Sequence, residues 1–167
     1  MKLDVSTPRR RRAAPAGLDV LQQLRVVVRL AGSHSARLER STGIPGAQLW
    51  ALHEVAQADG LSVGALAQRL RMHQTTVSNL LKRLESRGLV RKGRSPQDQR
   101  VVHIHLTAGG RKALEGAPAP PRGLLPNVLD GMSAAQRRKV HDGLAVLVAC
   151  MGGFDAALAE KPLPFTE

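Results

Sequence analysis

Apolar residues recur at helical spacing twice in close succession between residues 62 and 87. Val77, Leu80, Leu81 and Leu84 fall at i, i+3, i+4 and i+7, the stripe of a helix that buries one face. The opposite face carries Thr75, Ser78, Asn79, Lys82 and Ser86, with Arg83 on its flank. Those side chains are short and hydrogen-bonding toward the helix start and cationic further along. Such a face suits a major groove, where base edges offer donors and acceptors and phosphates line the rim. Gly88 follows where a left-handed residue ends a helix. Upstream, Ser62 is placed to cap a shorter helix in which Val63, Leu66, Ala67 and Leu70 repeat the stripe. Only Arg71, Met72 and His73 separate the two, the length of the turn in a helix-turn-helix.

Beyond Gly88 the period changes. Residues 89–92 and 100–106 read as two strands, the second with Val102, Ile104 and Leu106 alternating with Val101, His103 and His105. Residues 93–99 between them are polar and punctuated by Gly93 and Pro96, a loop. A helix-turn-helix followed by a hairpin is a winged helix.

The flanks read as helices. Residues 18 to 40 carry Val20, Leu21, Leu24, Val27, Val28, Ala31 and Leu38 on one face. That stripe is longer than a small domain uses internally, so a partner subunit is expected against it. Thr42 and Gly43 end this helix, and Pro45 opens a second through Ala58. Thr107 caps a helix beginning at Ala108. Pro118, Pro120 and Pro121 then force a break near Ala117, because each removes a backbone donor and clashes with the preceding turn. A short helix over residues 124 to 129 is expected to resume. The run Ser133-Ala-Ala-Gln136 forms a capping box for a last helix to about Met151, with Val140, Leu144, Leu147 and Val148 as its seam.

The run Leu61-Ser-Val-Gly-Ala-Leu-Ala, then Thr75-Thr-Val-Ser, Leu84-Glu-Ser-Arg-Gly-Leu-Val, Asp98-Gln-Arg100 and Leu106-Thr-Ala-Gly-Gly-Arg resembles the MarR family of bacterial transcription regulators. The likeness is dense over the winged helix and looser over about residues 18 to 151. Short tripeptides such as Asp-x-Arg are common, and the order and spacing of the pieces make the likeness specific. It implies a homodimer whose first and last helices interlock. It implies two winged helices on double-stranded DNA with a pseudopalindromic operator, and often a small-molecule pocket between the dimerisation and DNA-binding parts. Arg100 is carried over as a minor-groove arginine of the wing, with Asp98 steadying it. The proline break departs from relatives that run one longer helix there, and bears on the dimer geometry.

Charge fits a polyanionic partner. Lys and Arg outnumber Asp and Glu 25 to 13 in 167 residues, a formal net charge of +12. Between Arg69 and Arg100 the only carboxylates are Glu85 and Asp98. Acidic membranes and RNA also attract basic chains, so charge alone does not choose. No apolar run approaches the length of a membrane span, and no apolar signal core follows the first charges; a cytoplasmic protein is expected.

The candidate DNA-binding residues follow from the helix face and the wing. Gln74, Thr75, Ser78 and Asn79 are placed for base edges, Lys82, Arg83 and Arg87 for phosphates, and Thr76, Arg94 and Arg100 complete the set. Chemistry elsewhere is sparse. There is no glycine-rich phosphate loop, no serine with a plausible base, no carboxylate pair in an apolar setting and no tyrosine, so no catalytic residue, cofactor or metal site is assigned. His103 and His105 share a strand face, where a solvent-facing or phosphate-near role outweighs a metal. Cys150 is the single cysteine and excludes an internal disulfide. Its place near a helix C-terminus among Val148, Ala149 and Met151 disfavours a thiolate, and a buried packing role is expected.

A ligand pocket is suggested by His34 and Ser35, which interrupt the first apolar stripe. On the second helix Leu49, Leu52, Val55 and Ala56 fill one face while Trp50 projects almost opposite, with His53 between. A helix apolar on two sides should lie between two layers. His34, Ser35, Trp50 and His53 would suit a small aromatic acid or phenol; the alternative is that Trp50 is packing and His34 a satisfied polar residue. The expected architecture is mainly α with a small β-hairpin wing, a winged helix-turn-helix flanked by N- and C-terminal dimerisation helices. Its expected parts are a disordered basic arm (1–17), a dimerisation helix (18–44), and the winged helix with the start of the next helix (45–115). Within that part the recognition helix spans about 74–87 and the wing about 89–106. C-terminal dimerisation helices (116–151) and a loose tail (152–167) follow. The expected function is a sequence-specific DNA-binding regulator, a homodimeric repressor released by a small aromatic ligand. The alternatives are a winged-helix protein-interaction module or a general architectural DNA binder.

Overall fold

Helix α1 (Gly17–Thr42) opens the part of the chain that the computed structural model describes, residues 16–94 and 102–166. Its apolar positions divide into two groups. In the second half Ala31 and Leu38 are buried together with His34 and Ser35, whereas Val20, Leu21, Val27 and Val28 remain 39–55% exposed. Val26 and Leu30 are also exposed, among the polar residues of the other side, so much of the apolar surface in the first half is left uncovered by the described residues. Gly43, at φ 65°, ends the helix and returns its N–H to Glu39 O at 2.7 Å.

Helix α2 (Gly46–Gln57) starts one residue later than the sequence implied, with Pro45 as the cap rather than the first helical residue. It is the central post of the core. Leu49, Leu52 and Val55 are fully buried; Ala56, expected on that face, is exposed. Around α2 pack α3 (Val63–Leu70) and α4 (Gln74–Ser86), which contribute Leu66, Leu70, Val77, Leu81 and Leu84. The turn between them closes as a helix-turn-helix. Ser62 accepts the N–H of Ala65 at 3.1 Å, and Arg71 takes a left-handed φ of 53° so that Met72 N–H reaches back to Ala67 O at 3.1 Å. The end of α4 uses Gly88 at φ 68°, with Leu89 N–H bonded to Leu84 O at 2.9 Å.

The wing is a three-stranded antiparallel sheet in the order β1-β3-β2. β2 (Val90–Arg94) pairs with β3 (Val102–Leu106), Val90 opposite Leu106 and Arg94 opposite Val102. Gly93 and Arg94, read as loop from their composition, are therefore strand. β1 (Leu61–Ser62) was not visible in the sequence: two residues pair with Ile104 and His103 just before α3 begins. Ile104 and Val90 turn inward and close the core beneath α2 and α4.

Helix α5 (Ala108–Glu115) is capped by Thr107, whose hydroxyl oxygen accepts Gly110 N–H at 3.0 Å. At Gly110 α5 passes close against Leu89 and Leu106 of the wing. A Cβ there would lie 2.1 Å from Leu89 O and 2.8 Å from Leu106 Cδ1, and the first of these is backbone and cannot swing aside. Gly110→Ala should therefore cost about 3 kcal/mol of unfolding free energy in denaturant titration, at the upper end of overpacking losses. At Gly109 the nearest atom would be 3.4 Å away, an ordinary contact. Equal losses in Gly109→Ala and Gly110→Ala would show that the close approach is not the cause.

The proline break is real: α5 ends at Glu115 and the chain resumes as α6 (Leu124–Gly131). α7 (Ala134–Cys150) carries the expected capping box, Ser133 accepting Gln136 N–H and Gln136 accepting Ser133 N–H. None of its residues is buried in the chain, and Leu144 and Val146 are exposed. Cys150, expected to be a buried packing residue, is exposed in the single chain, where none of the described residues covers that end of α7. The tail is not loose as expected. α8 (Ala156–Ala159) and a 3-10 turn (Pro164–Thr166) fold back on the body, with Phe165 over Gly32 and Thr166 over Gly46; Phe154 and Leu158 stay exposed. Among the described residues no helix is long and apolar enough to cross a membrane.

Candidate nucleic-acid interface and ligand cavity

Because α4 buries Val77, Leu80, Leu81 and Leu84, its other face is left to solvent. Gln74, Thr75, Asn79, Lys82 and Arg83 are exposed, and Thr76 and Ser78 are half-buried. Their environments differ in ways the sequence did not reveal. The Ser78 hydroxyl donates to Gln74 O at 2.8 Å, so its proton is already used inside the helix. Arg87 donates from Nη1 to Gly43 O at 2.8 Å, tying the end of α4 to the end of α1. It is thus partly a structural residue. Arg94 is exposed at the end of β2. Asp98 and Arg100 lie outside the described residues.

Two imidazoles brace the wing against the α2–β1 turn. His103 donates from Nδ1 to Gly60 O at 2.6 Å, a carbonyl that can only accept. His105 Nδ1 donates to Asp59 Oδ2 at 3.0 Å, and this hydrogen bond holds the Asp59 carboxyl below its ordinary range. Their shared face thus serves wing packing. Among the described residues, no three His, Cys, Asp or Glu side chains gather as metal ligands.

The structure brings His34, Ser35 and Trp50 together and leaves His53 out. A cavity of about 240 Å³ lies between the second half of α1, the start of α2, the start of α6 and the chain's end. His34 donates from Nε2 to Pro120 O at 3.1 Å, which fixes its ring against the proline break. Trp50 forms part of the wall and donates from Nε1 to Glu54 Oε1 at 3.1 Å. His53 does not line this space. It sits half-buried on another side of α2, where burial holds its imidazole below the ordinary 6.5, Glu54 pulling it back up and Arg122 adding to the fall.

Sequence reasoning missed the basic residues in the cavity wall. Arg71, Arg122 and Lys161 line it, and no aspartate or glutamate does among the described residues. Arg122 stands over the Trp50 ring at 5.9 Å and pairs with Asp130 at 2.7 Å. Its Nε lies 3.3 Å from Glu54 Oε1 but points away from hydrogen-bond alignment, an ion pair only. Glu54, buried, also faces Arg69 at 3.6 Å, as a carboxylate out of water must. The available signal was Arg122 itself, the one charge inside the proline- and glycine-rich stretch that returns the chain to α1.

Comparison with known proteins agrees with this architecture. The pattern of the MarR family matches residues 42–101, from the end of α1 into the wing. A Bacillus subtilis (strain 168) protein named uncharacterized HTH-type transcriptional regulator YdgJ is 32% identical over 127 residues, 76% of this chain and 76% of its own. The HTH-type transcriptional regulator TtmR of Methylorubrum extorquens (strain PA1) is 39% identical over 92 residues, 53% of this chain and 45% of TtmR. These relatives are named as regulators, not enzymes. Among solved structures, a MepR-like protein complexed with pseudoligands superposes with a TM-score of 0.57 at 18% identity, over 84% of this chain and 100% of that one. Streptococcus pneumoniae FabT in complex with DNA gives 0.54 at 23% identity, over 81% and 96%. At such identities the two structures speak to the fold. The YdgJ match spans most of both chains, and with it the chain belongs to the MarR family of helix-turn-helix transcription regulators, as a DNA-binding regulator built on a winged helix.

Proposed function

We propose that the protein works as a homodimeric repressor, its two α4 helices entering successive major grooves of a pseudopalindromic operator, and that a small aromatic anion releases it. The observation that carries the reading is the division of α4 into a buried apolar stripe and an exposed face of amide, hydroxyl and cationic groups. The uncovered apolar surfaces of α1 and α7 support the dimer. The cavity supports the ligand: Trp50 and aliphatic walls would take an aromatic body, and Arg71, Arg122 and Lys161 would favour a carboxylate over a neutral phenol. His34, Ser35 and Trp50 are the members of the sequence-derived ligand set that the site would use.

Repression would follow from occlusion of a promoter. Release would follow because the ligand favours a spacing of the two α4 helices that no longer fits adjacent grooves; a ligand with equal affinity for both spacings would change nothing. Selection from a randomised duplex pool should return a pseudopalindrome with half-sites about one helical turn apart. Trp50 is the only tryptophan, so 1-naphthoate should quench its fluorescence saturably and in step with operator release, with 1-naphthol weaker. A pool retained without sequence preference, or operator release with unchanged Trp50 emission, would overturn the corresponding part of the reading.

A further inference from the structure

The returning C-terminal segment touches both the cavity and the recognition helix. On one side Lys161 and Phe165 form cavity wall, with the Phe165 ring 3.8 Å from where a Cβ on Gly32 would lie. On the other side the segment meets His73, the cap residue of α4, whose N–H donates to Glu160 O at 3.3 Å. The Glu160 carboxylate stands 3.6 Å from His73 Nε2 and borders the same hollow as Gln74, the first residue of the exposed α4 face. Neighbouring residues 160 and 161 thus put a carboxylate beside the candidate DNA face and a lysine in the cavity wall.

We propose that residues 155–166 are a built-in effector segment: docked, they complete an anion-binding cavity through Lys161 and hold Glu160 against the start of α4, where it opposes DNA. The inference rests on reading the cavity as an effector site. Its energetics follow from linkage alone. A phosphate backbone approaching Gln74 meets the Glu160 charge, so DNA favours the segment displaced. An aromatic carboxylate in the cavity gains the Lys161 charge and the Phe165 surface only when the segment is docked. Two ligands that prefer opposite states of one element must weaken each other's binding, by the same factor in each direction. The spacing of the α4 helices and the docking of the segment then shift together.

The test uses the full chain, with operator affinity and Trp50 quenching by 1-naphthoate measured on the same samples. Glu160→Gln should strengthen ligand-free operator binding by roughly fivefold or more, a normal size for a coupling between sites. It should keep naphthoate binding while shrinking the naphthoate-induced release. Lys161→Gln should do the reverse, weakening naphthoate by a similar factor with ligand-free operator affinity nearly unchanged. A segment that merely stabilises the fold would not separate the two readouts in opposite variants. Unchanged operator affinity and a full naphthoate response in Glu160→Gln would overturn the proposal while leaving the effector reading intact. If naphthoate neither quenches Trp50 nor releases operator in the unaltered chain, the effector reading fails, and with it the role given to Lys161. The Glu160→Gln affinity then still decides whether the segment restrains α4.

Discussion

Replacing Val27 and Val28 together with aspartate should convert the protein to a monomer and weaken operator binding by on the order of a hundredfold or more. Within one chain these two side chains are 46% and 55% exposed, so the substitutions remove little packing from the protomer itself. In a dimer they would lie in the apolar contact of α1 with its partner, and two carboxylates taken out of water there cost several kcal/mol unless paired. The operator loss follows from geometry. Two linked winged helices bind the second half-site at a high effective concentration, and a monomer forfeits that gain without losing any contact in its own half-site. Sedimentation velocity reports the oligomeric state, and circular dichroism checks that the winged helix survives. A double variant that still sediments as a dimer with undiminished operator affinity would remove α1 from the interface.

What could be read from the sequence was what neighbouring residues decide among themselves. The stripes of α3 and α4, the caps at Ser62 and Ser133 and the stop at Gly88 are all settled within a few residues, and the structure has each of them. The proline break was legible for the same reason. β1 was not, because Leu61 becomes strand only by pairing with Ile104, far along the chain. The docked tail escaped as well: Phe165 carries no local signal that it will seat over Gly32.

The candidate ligand set shows where angular reasoning stops. His53 lies three residues after Trp50, about 60° away around the helix, close enough to share a pocket if the wall were wide. The wall is instead supplied by α6 and the tail on the side of Trp50, and His53 faces elsewhere. Arg122 and Lys161 join Arg71 in the cavity wall, yet both come from segments whose composition reads as loop. Cys150 departs in the other direction within one chain. Its apolar neighbours implied burial, but burial needs a covering surface, and the described residues of one chain place none against that end of α7.

Asn79→Ala and Lys82→Ala should damage operator binding in distinguishable ways. Asn79 is exposed in the middle of the α4 face, two short side chains from the helix start, where an amide can reach the paired donor and acceptor of an adenine edge. Its loss should cost roughly 1–3 kcal/mol on the preferred operator and relax selectivity at one base pair in each half-site. Lys82 is one turn further along, beyond the depth at which a helix reads bases, and should meet phosphate. Lys82→Ala should weaken all sequences alike and reduce the salt dependence by about one unit. Ser78→Ala offers an internal contrast: the hydroxyl already donates to Gln74 O, so only its acceptor capacity is lost and the effect should be smaller than at Asn79. Arg87→Ala should lower stability as well as affinity, because its guanidinium holds Gly43 O. Competition assays over a set of single-base operator variants, repeated across salt concentrations, separate these outcomes. If Asn79→Ala left the base preferences unaltered while Lys82→Ala changed them, α4 would have to sit in the groove rotated from the orientation argued for it.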